Sequence, residues 1–164
     1  MYSQLCQNHN LDTEELKSGK IPFIVIPNII SESTCALLSK KIFKNYKIIP
    51  GPGIKNKIGT SLGSHIYEKS NYFLNSKKSN MFLKNIFSDG YSPLKSMRRI
   101  ISQIFNKQIS TASENKMSYS DCVIRIHSQG DSVHLHRDNC NFEMPDYTVS
   151  KYKNQLSAIL YLQS

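Results

Sequence analysis

Asp121-Cys122-Val123-Ile124-Arg125-Ile126-His127-Ser128-Gln129-Gly130-Asp131-Ser132-Val133-His134-Leu135-His136-Arg137-Asp138-Asn139 is the stretch on which the reading of this chain turns. Cys122 to His127 is rich in strand-forming residues, with Val123, Ile124 and Ile126 apolar. Ser128 to Asp131 is a turn cluster whose glycine can take a positive φ. Ser132 to Asp138 is a second extended segment, so the pair reads as two strands joined by a tight turn. Side chains alternate along a strand, and His136 and Asp138 therefore point the same way. An imidazole and a carboxylate on one face are two corners of the site in which two histidines and one carboxylate hold non-haem Fe(II) and leave positions open for oxygen. That spacing alone is common on protein surfaces, and its weight comes from what flanks it.

Downstream, Leu156 to Leu162 reads as a third strand, apolar enough to be buried on both faces. Upstream, Ile21 to Pro27 is rich in strand formers. Ser31 is an N-cap, followed by Glu32 in the first turn and Ala36, Leu37, Leu38, Ile42 and Phe43 along one helical side. Pro50-Gly51-Pro52-Gly53 breaks the chain. Lys55 to Lys78 reads as polar, with short extended patches such as Ser64 to Glu68. Ser92 or Ser96 opens a second helix after Pro93, with Leu94, Met97, Ile100, Ile101, Ile104 and Phe105 at helical spacing. Ile109 to Ser120 reads as a polar connector, and Thr13 to Lys17 is the helical fragment of an otherwise polar N-terminal tail. No internal repeat is present.

The order of a strand, a glycine six residues before His136, the run His136-Arg137-Asp138-Asn139, a loop and a strand ending Leu160-Tyr161-Leu162 resembles the Fe(II)/2-oxoglutarate-dependent oxygenases, nearest their prolyl 4-hydroxylase-like branch. Members often carry an aromatic residue nine positions before the metal histidine, where this chain has His127. Ile21 to Leu38 is similar to the family's opening strand and helix. The resemblance covers most of Ile21 to Ser164 and is specific around Gly130 to Asp138. It implies an α+β fold with a mainly β core, an incomplete double-stranded β-helix (jelly roll) buttressed by N-terminal helices. Residues 1–20 would be a polar tail and residues 21–164 the N-terminal portion of the oxygenase domain.

Carried over by residue, the resemblance implies that His136 and Asp138 bind Fe(II). It implies that Tyr161 gives its hydroxyl to the distal carboxylate of 2-oxoglutarate, with Ser157 on the same strand face near the co-substrate; ascorbate is an accessory it admits. The implied reaction couples O2 and 2-oxoglutarate to removal of a substrate hydrogen and insertion of a hydroxyl. Asp138 speaks against the halogenating branch, in which a small residue replaces the carboxylate to admit a halide. A hydroxylase of a peptidyl, amino-acid-like or small-molecule substrate is the expectation.

The family's second iron histidine, and the Arg or Lys beyond it that pairs with the co-substrate, lie on later strands, and His9, His65, His127 and His134 do not match that position. With about three core strands where the fold needs about eight, the chain is expected to be a truncated or split oxygenase, inactive unless a complementing C-terminal half or another copy supplies the rest. Two other readings stay open. One is a non-catalytic remnant or scaffold of the same fold that binds a partner. The other is a cupin-like site in which His134, His136 and Asp138 or Glu143 bind zinc or iron. Ser157 and Tyr161 fit packing and hydrogen bonding within a sheet equally well.

A chain of 164 residues can form one domain with a modest core. Cys6, Cys35, Cys122 and Cys140 form no C-x-x-C, and no basic-then-apolar leader opens the sequence, so reduced thiols and a cytoplasmic location are expected. The longest apolar stretch, Ile21 to Ile30, is broken by Pro22, Pro27 and Asn28, which speaks against a membrane span. The formal charge of +9 is mostly lysine, including Lys40, Lys41, Lys44 and Lys47, with arginine only at positions 98, 99, 125 and 137. No nucleic-acid motif accompanies it, and a solvated basic face is the expectation. Between Asp138 and the Tyr161 strand, Phe142, Met144, Tyr147 and Tyr152 either line a substrate entrance or pack the loop onto the sheet.

Overall fold

A computed structural model of the chain describes residues 13–46, 56–132 and 138–162. Its elements run α1 (Thr13–Ser18), α2 (Glu32–Asn45), β1 (Lys57–Ile58), α3 (Lys69–Ile86), α4 (Pro93–Phe105), β2 (Ser113–Glu114), β3 (Met117–Ser118), β4 (Ile124–Arg125) and α5 (Cys140–Glu143). β1 pairs antiparallel with β4, Ile58 opposite Ile124, and β2 pairs with β3 as a hairpin. The hairpin turn places Asn115 at φ 49° and Lys116 at φ 64°. Two positive φ values are what a two-residue turn needs to match the twist of its strands, and asparagine tolerates the first.

Both helices expected from capping signals form where their caps stand. Ser31 accepts a hydrogen bond from the Thr34 amide at 3.3 Å and opens α2. Ser92 accepts from the Lys95 amide at 3.4 Å and opens α4, with Pro93 in its first turn. Each cap satisfies one of the amides that a helix N-terminus leaves without a partner. From α2, Leu38 and Ile42 enter a core with Ile58, Leu83, Ile86 and Phe87, while Leu37 and Phe43 stay exposed. The buried stripe is thus narrower than the apolar pattern alone suggests.

The longest helix, α3, falls on a stretch whose sequence reads as polar. Its hidden face explains the discrepancy. Tyr72, Ser76 and Asn80 recur every four residues and so share one face. The Ser76 hydroxyl donates to the Ser118 carbonyl at 2.7 Å, and the Asn80 amide to the Tyr119 carbonyl at 2.9 Å. The Ser120 amide donates to the Tyr72 hydroxyl at 3.0 Å, and the Asp121 amide to the Asn80 carbonyl oxygen at 2.9 Å. These side chains satisfy main-chain groups at the end of β3 and in the segment that follows it. Around them Tyr72 and Phe73 join Tyr119, Met144 and Tyr147 in a second, aromatic core. Tyr72 meets Tyr147 edge-on at 5.5 Å between centroids, and Phe73 meets Tyr119 at 5.2 Å.

Gly59 fixes the approach of β1 to the segment leading into β4. Its φ is +106°, and a Cβ there would lie 2.5 Å from the Cys122 carbonyl oxygen and 3.1 Å from the Val123 Cα. Both neighbours are backbone and cannot swing aside. Gly59→Ala is expected to lower stability by on the order of 3 kcal/mol through combined strain and clash, read as a shifted urea midpoint.

Among the described residues the strands are short and no barrel closes. The strand expected over Cys122 to His127 is paired only at Ile124 and Arg125. The segments expected as strands at Ile21–Pro27 and Leu156–Leu162 are not assigned as strands, with Phe23, Val25, Leu156, Ile159 and Tyr161 exposed, while Leu162 packs on the first core. Strand-forming sequence needs a neighbour to donate and accept along its edge, and no described segment pairs with these two as a strand. The break at Pro50–Gly53 and Lys47 lie outside the described residues. No described helix is long and apolar enough to cross a membrane.

Candidate active site

The chain that leads towards Asp138 is anchored at β4. The Ile126 amide donates to the Asn56 carbonyl at 2.9 Å, extending the β1–β4 pairing by one rung. Arg98 of α4 pairs with Asp121 and donates to Thr111, and Thr111 donates to Asp121, which pins the start of this segment. After β4 the expected turn forms. The Ser128 amide donates to the Asp131 carboxylate at 2.7 Å, the Asp131 amide to the Ser128 carbonyl at 3.0 Å, and Gly130 takes φ +87°. His134, His136 and Arg137 then lie outside the described residues.

The chain is described again from Asp138, an exposed residue. Asn139 caps α5, its side-chain oxygen accepting from the Phe142 amide at 3.3 Å. The Cys140 amide donates to the Gln155 side chain at 3.0 Å, tying the start of α5 to the segment that carries Ser157 and Tyr161. Burial first, then the Asp138 carboxylate and Glu143, push the Cys140 thiol up. Burial and the neighbouring Asp121 likewise push the Cys122 thiol up to about 11. Ser157 is exposed, and Tyr161 is 78 % exposed, on an extended segment.

Beyond α5 the loop is clamped by a residue that sequence reasoning passed over. Glu114, only 6 % exposed, pairs with Lys69 of α3 and accepts from the Tyr119 hydroxyl at 2.7 Å and the Thr148 amide at 2.9 Å. Burial works against its charge, yet the Lys69 ammonium and the other donors outweigh it and hold the carboxyl down at about 2. Burial, reinforced by the Glu114 carboxylate, pushes the Tyr119 hydroxyl up to about 12. The Tyr147 hydroxyl donates to the His65 carbonyl at 2.8 Å. Lys69 of α3, Glu114 of β2, Tyr119 and His65 thereby converge on Tyr147 and Thr148, in the loop that follows Asp138. A lone glutamate in the run Ser113 to Ser118 gives little notice of this; the asparagine of its turn is the one readable hint.

Of the four loop residues expected at an entrance, Met144 and Tyr147 are core and Phe142 and Tyr152 are exposed. Phe142 and Glu143 face Ile66 and Tyr67 across a cleft of about 360 Å³ that Pro145 and Asp146 complete.

Among the described residues no three of His, Cys, Asp and Glu gather as a metal site. The donor chemistry of the H-x-D run still suits Fe(II), since a hard carboxylate oxygen and an imidazole nitrogen are ligand types that it takes. The family model described as carrier-protein-independent halogenase WelO5 matches residues 3–164. No curated protein and no solved structure matches the chain.

Proposed function

We propose, for a chain that belongs to the WelO5 family of carrier-protein-independent halogenases, that its reaction is hydroxylation with Asp138 as an iron ligand. The family places it among the Fe(II)/2-oxoglutarate-dependent oxygenase-type enzymes, which use Fe(II), 2-oxoglutarate and O2. Bound iron would supply oxygen activation, driven by oxidation of 2-oxoglutarate to succinate and CO2. The finer reading rests on one observation: a carboxylate, Asp138, stands two residues after His136. A halide needs a vacant position on the metal, and a carboxylate there fills it.

In this reading His136 and Asp138 hold the metal at the rim of an incomplete jelly roll, residues 21–164 being the N-terminal portion of the oxygenase domain with its helices packed outside the sheet. Tyr161 and Ser157 donate their hydroxyls to the co-substrate, with the exposed Tyr161 closing on it. The chain's own part is to orient these groups. Asn139 fixes the backbone just after Asp138, and Gln155 ties that point to the Ser157–Tyr161 segment. The substrate is peptidyl, amino-acid-like or a small molecule.

Visible absorption under nitrogen tests this without a known substrate. With a complementing segment that supplies the remaining iron ligand, Fe(II) and 2-oxoglutarate should give a charge-transfer band that chloride leaves unchanged. A band that needs chloride, or moves with it, would show a position open to halide and overturn the hydroxylase reading.

A further inference from the structure

The cleft beside α5 has walls that the metal site does not use. Tyr67 is 95 % exposed and Phe142 81 % exposed, so two nearly bare aromatic residues line about 360 Å³ of open space. Exposed rings facing a hollow are where ligands are recognised more often than where a fold is held. That volume is within the range of small-molecule sites, about 300–1,000 Å³.

The charge on the cleft runs against the charge of the chain. Lys and Arg outnumber Asp and Glu by 21 to 12, yet the ionisable side chains of this lining are Glu143 and Asp146. Neither carboxylate enters an ion pair among the described residues. The cation of α3 that approaches here, Lys69, is paired with Glu114 and donates to the main-chain carbonyl of Asp146, leaving the Asp146 carboxylate to the cleft.

The walls are also held in place. Tyr147, 1 % exposed, donates to the His65 carbonyl just before Ile66 and Tyr67, and its own amide donates to the Met144 carbonyl just after Phe142 and Glu143. One buried tyrosine therefore sets the separation of the two sides.

We propose that this cleft binds a protonated aryl-alkyl amine, its ring between Tyr67 and Phe142 and its ammonium against Glu143 and Asp146. Aromatic faces attract a cation through their quadrupole, and two carboxylates outside any ion pair among the described residues add the opposite charge. The same chemistry turns away carboxylates of equal size. Phe142 is four residues beyond Asp138 on the helix that Asn139 caps, so an amine seated here would be the substrate of the oxygenase. That last step rests on the function proposed above, whereas the binding chemistry of the cleft does not.

Metal-free protein, titrated with phenethylammonium and separately with 3-phenylpropanoate at neutral pH and followed by NMR, tests the cleft apart from the iron chemistry. Phenethylammonium should give saturable shifts at Ile66, Tyr67, Phe142 and Glu143, and 3-phenylpropanoate none. Phe142→Ala and the double change Glu143→Gln with Asp146→Asn should each weaken binding by about tenfold. All three side chains are exposed, and the spectrum of each variant reports that it is folded. Absence of binding, equal binding of both probes, or binding indifferent to the double change would each overturn the proposal. An absent iron band with an intact titration would instead count against the oxygenase reading alone.

Discussion

With the remaining iron ligand supplied by a complementing segment, Asp138→Ala should remove the Fe(II)- and 2-oxoglutarate-dependent absorption band and cut 2-oxoglutarate-dependent succinate release by more than about 100-fold. Substitutions among the groups that merely orient metal ligands already cost up to about 100-fold, and Asp138 is proposed as a ligand itself. The residue is exposed, so the variant should unfold within about 0.5 kcal/mol of the parent. Loss of signal with stability retained separates a metal role from a structural one. Asp138→Gly carries the argument further. It vacates the position that the carboxylate fills, so its iron spectrum should become sensitive to chloride while that of the parent does not. A parent and a glycine variant that respond alike to chloride would remove Asp138 from the metal.

The second large effect is on stability. Glu114→Ala should lower unfolding free energy by about 3 to 5 kcal/mol, the range for breaking one side of a buried ion pair, measured by urea denaturation. It leaves the Tyr119 hydroxyl and the Thr148 amide without this acceptor and the Lys69 ammonium with the Asp146 carbonyl in place of a counter-charge. The same carboxylate sets a pH dependence. Its folded pKa of about 2 lies below the ordinary 4.5. The unfolded chain therefore takes up this proton first as the solution is acidified. Its stabilisation is complete above pH 4.5 and fades as the pH falls towards about 2. The amount at stake is on the order of 3 kcal/mol. Glu114→Gln should flatten that part of the stability curve; an unchanged acid limb would show that the carboxylate is not held as described.

Legibility in the sequence followed the kind of interaction. Local signals could be read: Ser31 and Ser92 cap the helices they announce, and Gly130 takes the positive φ its turn needs. Non-local ones could not. α3 was hidden because Tyr72, Ser76 and Asn80 put polarity on the buried face, which inverts the rule that periodicity relies on. The reading of Leu156 to Leu162 as a doubly buried strand assumed covering layers, and the described segments place none there. At the candidate site, Asp138 could be picked from its spacing to His136, whereas Glu114 and Tyr67 matter through partners far along the chain. The family model names halogenases where the sequence reading leaned to prolyl 4-hydroxylase-like enzymes. Both belong to one superfamily, and the iron and 2-oxoglutarate expected from the H-x-D run follow from either.

The three side chains that α3 extends towards residues 118–121 also act as a vernier. Apolar surfaces tolerate sliding, because one methyl group replaces another at little loss. Here donors and acceptors must meet in sequence, and a shift by one helical turn would set Ser76 where Asn80 belongs and leave amides facing no oxygen. Only one alignment of helix and segment closes every bond. Since the segment leads directly into β4, the longitudinal position of that strand is gauged from a helix some forty residues earlier.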